Sequence, residues 1–150
     1  GAGIYRRDFF EQVGIFDEDF FIFAEDVDIN MRGQLQGFKC IYLPEAKVYH
    51  IGTATVGLYS DRYIYLCKRN DIFVLIRNYS LRMYFRYLWT ILKHQFNDIK
   101  YFTYRGQGIV LFKSKLDAFK MLLPMLFCRF RIQSSRTVPD SKIDPLIIKS

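Results

Sequence analysis

Residues 16–28 read Phe-Asp-Glu-Asp-Phe-Phe-Ile-Phe-Ala-Glu-Asp-Val-Asp, six carboxylates and four phenylalanines in thirteen positions. Acidic side chains are almost never fully buried unless paired, whereas Phe usually is. Alternating the two predicts a segment on the lip of an apolar cleft, with its carboxylates turned toward the opening. A general base belongs in such a place.

The second half of this stretch opens a helix. Val27, Met31 and Leu35 recur at i, i+4 and i+8, and Gly37 follows as a stop signal, so the spacing predicts a helix from about Asp26 to Gln36. Asp26 then lies close to the N-cap and Asp28 in the first turn, where free backbone N–H groups and the positive end of the dipole favour anions. On these grounds alone the acids either merely cap the helix or also carry chemistry.

Around this centre the front third alternates. The first five residues read as the end of a strand, and Asp8 can cap a short helix over Phe9, Phe10 and Val13 that Gly14 closes. Residues 39–43 and 47–50 are short β-rich runs separated by a Pro44-Glu45-Ala46 turn. Strand, helix, helix, strand, strand is part of an α/β sheet and too little for a whole one. Residues 52–59 hold two glycines and two threonines without a period, which predicts a mobile loop able to close over a ligand.

From Asp61 onward the pattern is helical. Leu81, Phe85, Leu88, Leu92, Phe96 and Ile99 fall on one face, and Arg82, Arg86, Lys93 and Lys100 on another, with Trp89 beside them. Either the apolar face packs into a core, or the helix lies in the plane of an anionic membrane. A second amphipathic stretch, 109–132, has Leu116, Phe119, Leu122, Leu126 and Phe130 in phase but is interrupted by Pro124. Beyond Gln133 the chain reads as a mobile tail. These shifts divide it into 1–80, an amphipathic helical region 81–133, and a tail 134–150.

Charge follows the same division. The net +7 conceals a front of 50 residues at −4 and a remainder at +11. Hydrophobic residues make up 51%, which excludes a disordered chain. Cys40, Cys67 and Cys128 are three widely spaced thiols without a C-x-x-C pair, and predict reduced, mostly buried cysteines in the cytosol. No apolar run is long enough to span a bilayer as a helix. The chain opens on Gly1 rather than Met, which suggests part of a larger protein.

His50 ends the second β-rich run and could return toward the carboxylates, but no H-x-x-x-H or C-x-x-C spacing accompanies it. Neither nucleotide-binding glycine fingerprint occurs, nor a G-x-S-x-G elbow.

Taken together, Gly1-Ala2 to Arg6-Arg7, Val13-Gly14-x-Phe16-Asp17-Glu18-x-Phe20-Phe21, Glu25-Asp26-Val27-Asp28, Arg32, Gly37 and Tyr42-x-Pro44-x-Ala46-x-Val48-x-His50 resemble the C-terminal half of the catalytic domain of a family 2 glycosyltransferase. The likeness is to rhamnosyltransferase-like members that build bacterial cell-surface polysaccharide. It covers residues 1–80 well and the rest loosely, with Arg69-Asn70 and residues 129–136 also similar. The resemblance implies the C-terminal part of a GT-A, nucleotide-diphospho-sugar transferase fold followed by amphipathic helices. It also implies inverting transfer from a nucleotide-sugar donor to a saccharide or lipid-linked acceptor. Asp26 would be the base, with Glu25 and Asp28 positioning and tuning it. Gly1, Ala2 and Arg69 would meet donor or acceptor, and His50 would help hold a Mg²⁺ or Mn²⁺ ion that neutralises the leaving diphosphate. The place implied is the cytoplasm, at the inner face of the cell membrane.

The family's donor-side Asp-x-Asp motif does not occur separately, because Asp17-Glu18-Asp19 and Asp26-Val27-Asp28 belong to the loop and the base motif. The donor-binding half is therefore expected upstream, and these residues alone are expected to be inactive. Two other classes are compatible with the composition. One is a non-catalytic basic and aromatic module that binds a membrane surface or single-stranded nucleic acid. The other is a glycoside hydrolase using two of the front carboxylates.

Overall fold

A computed structural model describes residues 3–49 and 56–147. Seven helices follow one another: α1 (Arg7–Val13), α2 (Glu25–Leu35), α3 (Asp61–Asn78), α4 (Leu81–Tyr104), α5 (Gly108–Lys120), α6 (Leu122–Ser134) and α7 (Asp140–Ile143). A single 3₁₀ turn, Glu18–Phe20, lies between α1 and α2, and a second, Asp144–Leu146, follows α7.

Among the described residues there is no β-strand, so the α/β expectation is not met there. Residues 39–43 and 47–49 are irregular and exposed around a turn at Pro44 and Glu45. Their β-rich composition suits a pleated surface, but a ladder needs a second strand, and none of the described residues supplies one. Residues 3–5, the described part of the run read as a strand end, are likewise irregular.

The core is built around α3. Ser60 caps it, its hydroxyl accepting a hydrogen bond from the Tyr63 N–H at 3.1 Å. One face presents Phe73 and Val74 to Phe20 of the 3₁₀ turn, Ala118 of α5 and Met125 of α6. Helices on both sides of residue 80 thus share one apolar centre. At the other end of α3, Ile64 packs with Phe102 of α4 and Leu111 of α5. Phe9 and Val13 of α1 close on Ile29 of α2.

Helix α4 departs from the core-packing alternative. Ser80 caps it through Met83 N–H, and it docks through Met83, Tyr87 and Phe102. The apolar row from Leu81 to Ile99 is exposed instead. The second amphipathic stretch breaks at Met121, which ends α5 and precedes α6. Pro124 then falls in the first turn of α6, where its missing N–H would have had no intrahelical partner.

The segment after Gln133 is not a loose tail. The N–H groups of Thr137 and Val138 both donate to the Leu35 carbonyl, at 3.0 and 3.3 Å, and so cap the end of α2. Ile143 of α7 is buried against Leu35, Met83 and Tyr87. Two ion pairs, Arg136 with Asp140 and Arg86 with Asp144, fasten this return. The apolar Val138 and Ile143 supply the burial that a polar reading of 134–140 overlooks.

Candidate active site

The acidic and aromatic stretch begins where α1 ends. Gly14 closes α1 with φ +85°, a conformation in which its N–H reaches the Phe10 carbonyl. Asp8 does not cap α1. The cap residue is Arg6, and the Asp8 carboxylate accepts from the Arg6 guanidinium instead.

Four side chains then hold residues 13–23, three through backbone carbonyls and one through the side chains of Asp17 and Phe20. Arg32 of α2 donates to the carbonyls of Val13 (2.7 Å) and Ile15 (2.9 Å). Arg77 of α3 donates to the Asp17 carboxylate at 2.6 Å and lies over the Phe20 ring. The Arg69 guanidinium donates to the carbonyls of Asp19 (2.8 Å) and Phe20 (3.4 Å). The Asn70 carboxamide donates to three carbonyls, Phe20 (2.9 Å), Ile22 (2.9 Å) and Phe23 (2.8 Å). Burial pushes the Asp17 carboxyl up, but the Arg77 hydrogen bond and charge outweigh it and hold it below the usual value.

This pinning sustains an unfavourable backbone. Phe21, Phe23 and Ala24 all have positive φ, at 59°, 71° and 63°. For non-glycine residues that costs on the order of 1–3 kcal/mol each. The five hydrogen bonds from Arg69 and Asn70 return about 1 kcal/mol apiece, and burying Phe20 adds about 2 kcal/mol, so the clamp is of the size the strain requires. Phe20 is fully buried, edge-on to Phe73 at 5.8 Å.

The strained turn delivers the chain into α2 at Glu25, with Ala24 as a cap residue that offers no side-chain bond. From there the three acids of the motif diverge. Asp26 is exposed, and among the described residues its carboxylate accepts one hydrogen bond, from the Val27 N–H at 2.8 Å. Glu25 is half-buried, and its Oε2 is buried without a hydrogen-bond partner among the described residues. Asp28 is fully buried, which corrects the expectation of an acid on the cleft's lip. Its Oδ2 accepts from Arg32 Nε at 2.8 Å, and its Oδ1 accepts from Asn78 Nδ2 at 2.8 Å with Arg77 Nε 3.7 Å away.

The buried face of α2 is therefore Asp28, Ile29, Arg32, Gly33 and Leu35, and of the row Val27, Met31 and Leu35 only Leu35 is fully buried, with Met31 half-buried against the core. Val27 is exposed. Paired burial is what allows an acid to face inward. Asp28 cannot then serve as the second surface carboxylate that a glycoside hydrolase sets across a sugar from Asp26.

Arg69, expected at donor or acceptor, is taken up by the loop and stacks over Tyr65 and Phe73. Gly1, Ala2 and His50 lie outside the described residues, as does the first half of the 52–59 loop, residues 52–55. Among the described residues no three His, Cys, Asp or Glu side chains converge, so these residues alone do not fit a Mg²⁺ or Mn²⁺ site. The three cysteines are free, and Cys40 is exposed, contrary to the expectation of mostly buried thiols.

No local pattern marks Asn70 and Arg77 as partners of the loop, or Asn78 as a partner of Asp28. Their signal is nonetheless present in the chain: positions 70, 77 and 78 place polar groups at helical spacing on the same side as Phe73 and Val74. Polar residues on a core-facing stripe imply buried partners.

The model of glycosyl transferase family group 2 matches residues 3–132, so the chain is a member of that family. It is similar to the N-acetylglucosaminyl-diphospho-decaprenol L-rhamnosyltransferase of two strains of Mycobacterium tuberculosis, 34% identical over 77 residues, 45% of this chain and 25% of each relative. The chain thus spans about a quarter of the length of the curated relatives it matches. No solved structure matches.

Proposed function

We propose that this chain is the base-bearing, acceptor-side part of an inverting glycosyltransferase of GT-A fold, acting in cell-surface polysaccharide synthesis. Its donor is a nucleotide sugar and its acceptor a saccharide or lipid-linked saccharide. The relative's N-acetylglucosaminyl-diphospho-decaprenol acceptor favours the lipid-linked form. Nucleotide sugars place the reaction on the cytoplasmic side.

The observation that carries the reading is the Asp26 carboxylate, exposed at the first turn of α2 and delivered there by three strained residues. Backbone strain held by surrounding structure is a recurrent property of reacting sites. Asp26 takes the proton of the acceptor hydroxyl as that oxygen bonds to the anomeric carbon. The bond from that carbon to the diphosphate oxygen breaks on the opposite face, and the nucleoside diphosphate leaves with the electron pair, inverting the centre. Asp28 holds the helix start in place through Arg32, Arg77 and Asn78. Mg²⁺ or Mn²⁺ is proposed only as the companion of the donor diphosphate.

The test is nucleotide-sugar consumption by the protein as its gene encodes it. Asp26→Asn should lower kcat by roughly 10²–10⁴-fold with an unchanged Tm, because the exposed side chain carries little of the fold. Transfer retained in that variant removes Asp26 from the base role.

A further inference from the structure

Among the described residues, helices α4, α5 and α6 each leave an apolar strip without a partner. On α4 the buried side is Met83, Tyr87, Asp98 and Phe102. At 100° per residue the row Leu81, Phe85, Leu88, Leu92, Phe96 and Ile99 points well away from that side, and all six are exposed. Phe85 is 79% and Phe96 67% exposed. Helix α5 buries Leu111, Ser114 and Ala118 and exposes Phe112 and Phe119. Helix α6 buries Met125 and exposes Phe127 and Phe130. The α4 and α6 strips meet, since Leu81 shares one cleft with Leu126 and Phe130.

Charge selects what covers them. Residues 81–134 hold ten Lys and Arg against two acids. Both acids are already engaged, Asp98 with Lys68 and Asp117 with Lys120. Beside the α4 strip run Arg82, Lys93 and Lys100, all exposed, and beside the α5 strip Lys113 and Lys120, also exposed. A second copy of this chain would bring cations to cations. An anionic lipid headgroup neutralises them while the acyl region takes the Phe and Leu side chains. Trp89, 78% exposed, stands between the apolar and cationic strips of α4, where an indole sits at headgroup level.

We propose that α4, α5 and α6 form a docking surface for an anionic lipid bilayer, on which α4 lies in the membrane plane. No described helix is long and apolar enough to cross a membrane, so the contact is interfacial. Docking does not depend on the transferase chemistry, and it stands or falls separately from Asp26.

Trp89 is the chain's sole tryptophan and reports the contact directly. The chain is mixed with vesicles of phosphatidylcholine, with or without phosphatidylglycerol, and followed by Trp emission and by flotation. With the anionic vesicles we expect a blue shift and co-flotation, both weakened by salt. Reversing Arg82, Lys93 and Lys100 to Glu should weaken partitioning at least roughly a hundredfold. Phe85→Ser with Phe96→Ser should abolish the blue shift, and unchanged circular dichroism and Tm show that the fold survives. No shift and no flotation on anionic vesicles overturns the proposal. Equal binding to both vesicle types, unaffected by charge reversal, overturns it as well. So does self-association that the double Phe variant abolishes in the absence of vesicle binding.

Discussion

Asn70 offers two amide hydrogens to three carbonyls, so at least one hydrogen is shared, and the geometry works only while all three carbonyls converge. That convergence is what the positive φ of Phe21 and Phe23 creates. Side chain and strained backbone therefore specify each other. Replacing the carboxamide by a carboxylate sets negative charge against three carbonyl oxygens in a fully buried place. Asn70→Asp should destabilise the chain by about 3–5 kcal/mol, and Asn70→Ala by about 2–3 kcal/mol, read as shifts in the urea midpoint. Equal stability of the two variants would show that the carbonyls are satisfied elsewhere. Arg69 shares this task, which explains why Arg69-Asn70 stands as a pair on a helix whose neighbouring turns face the core.

Helices α1 and α2 approach closely because α2 has no side chain at Gly33. A Cβ there would lie 2.4 Å from the Phe9 ring, which is itself buried against Val13 and Ile29. Gly33→Ala raises helix propensity but should still destabilise by about 1–3 kcal/mol, a thermal shift in which overpacking beats propensity. Phe9→Leu in the same chain should restore part of the loss. At this scale the sequence is legible wherever the signal is local. The helix predicted at 26–36 appears as Glu25–Leu35, and Gly14 and Gly37 stand at or just past helix ends with positive φ. Period tells which residues share a face and not which face docks. In α4 the strongest apolar row stays outside, and a weaker row through Met83 and Tyr87 goes in. Asp28 is misread for the same reason, since Asn78 and Arg77 lie about fifty residues away and pair with it only in three dimensions.

Across the whole molecule two ionised carboxyls hold distant segments together, Asp17 of the clamped loop and Asp140 of the C-terminal return. Burial raises both, but the hydrogen bonds from Arg77 to Asp17 and from Ser80 to Asp140, with the Arg136 guanidinium paired to Asp140, outweigh it and hold both below the ordinary value. Near that pH the unfolded chain binds more protons than the folded one, so stability is complete above the ordinary value and falls as pH drops through the folded values. The urea midpoint should be flat from about pH 7 to 5 and decline below about pH 4. In Asp17→Asn the acid decline should be shallower. The Leu35 carbonyl, capped by Thr137 and Val138, has one more implication. A nascent chain emerges N-terminus first, so α2 leaves the ribosome about a hundred residues before the groups that close it. Until they arrive, the acid-bearing helix has an open end, and the site settles only late in synthesis.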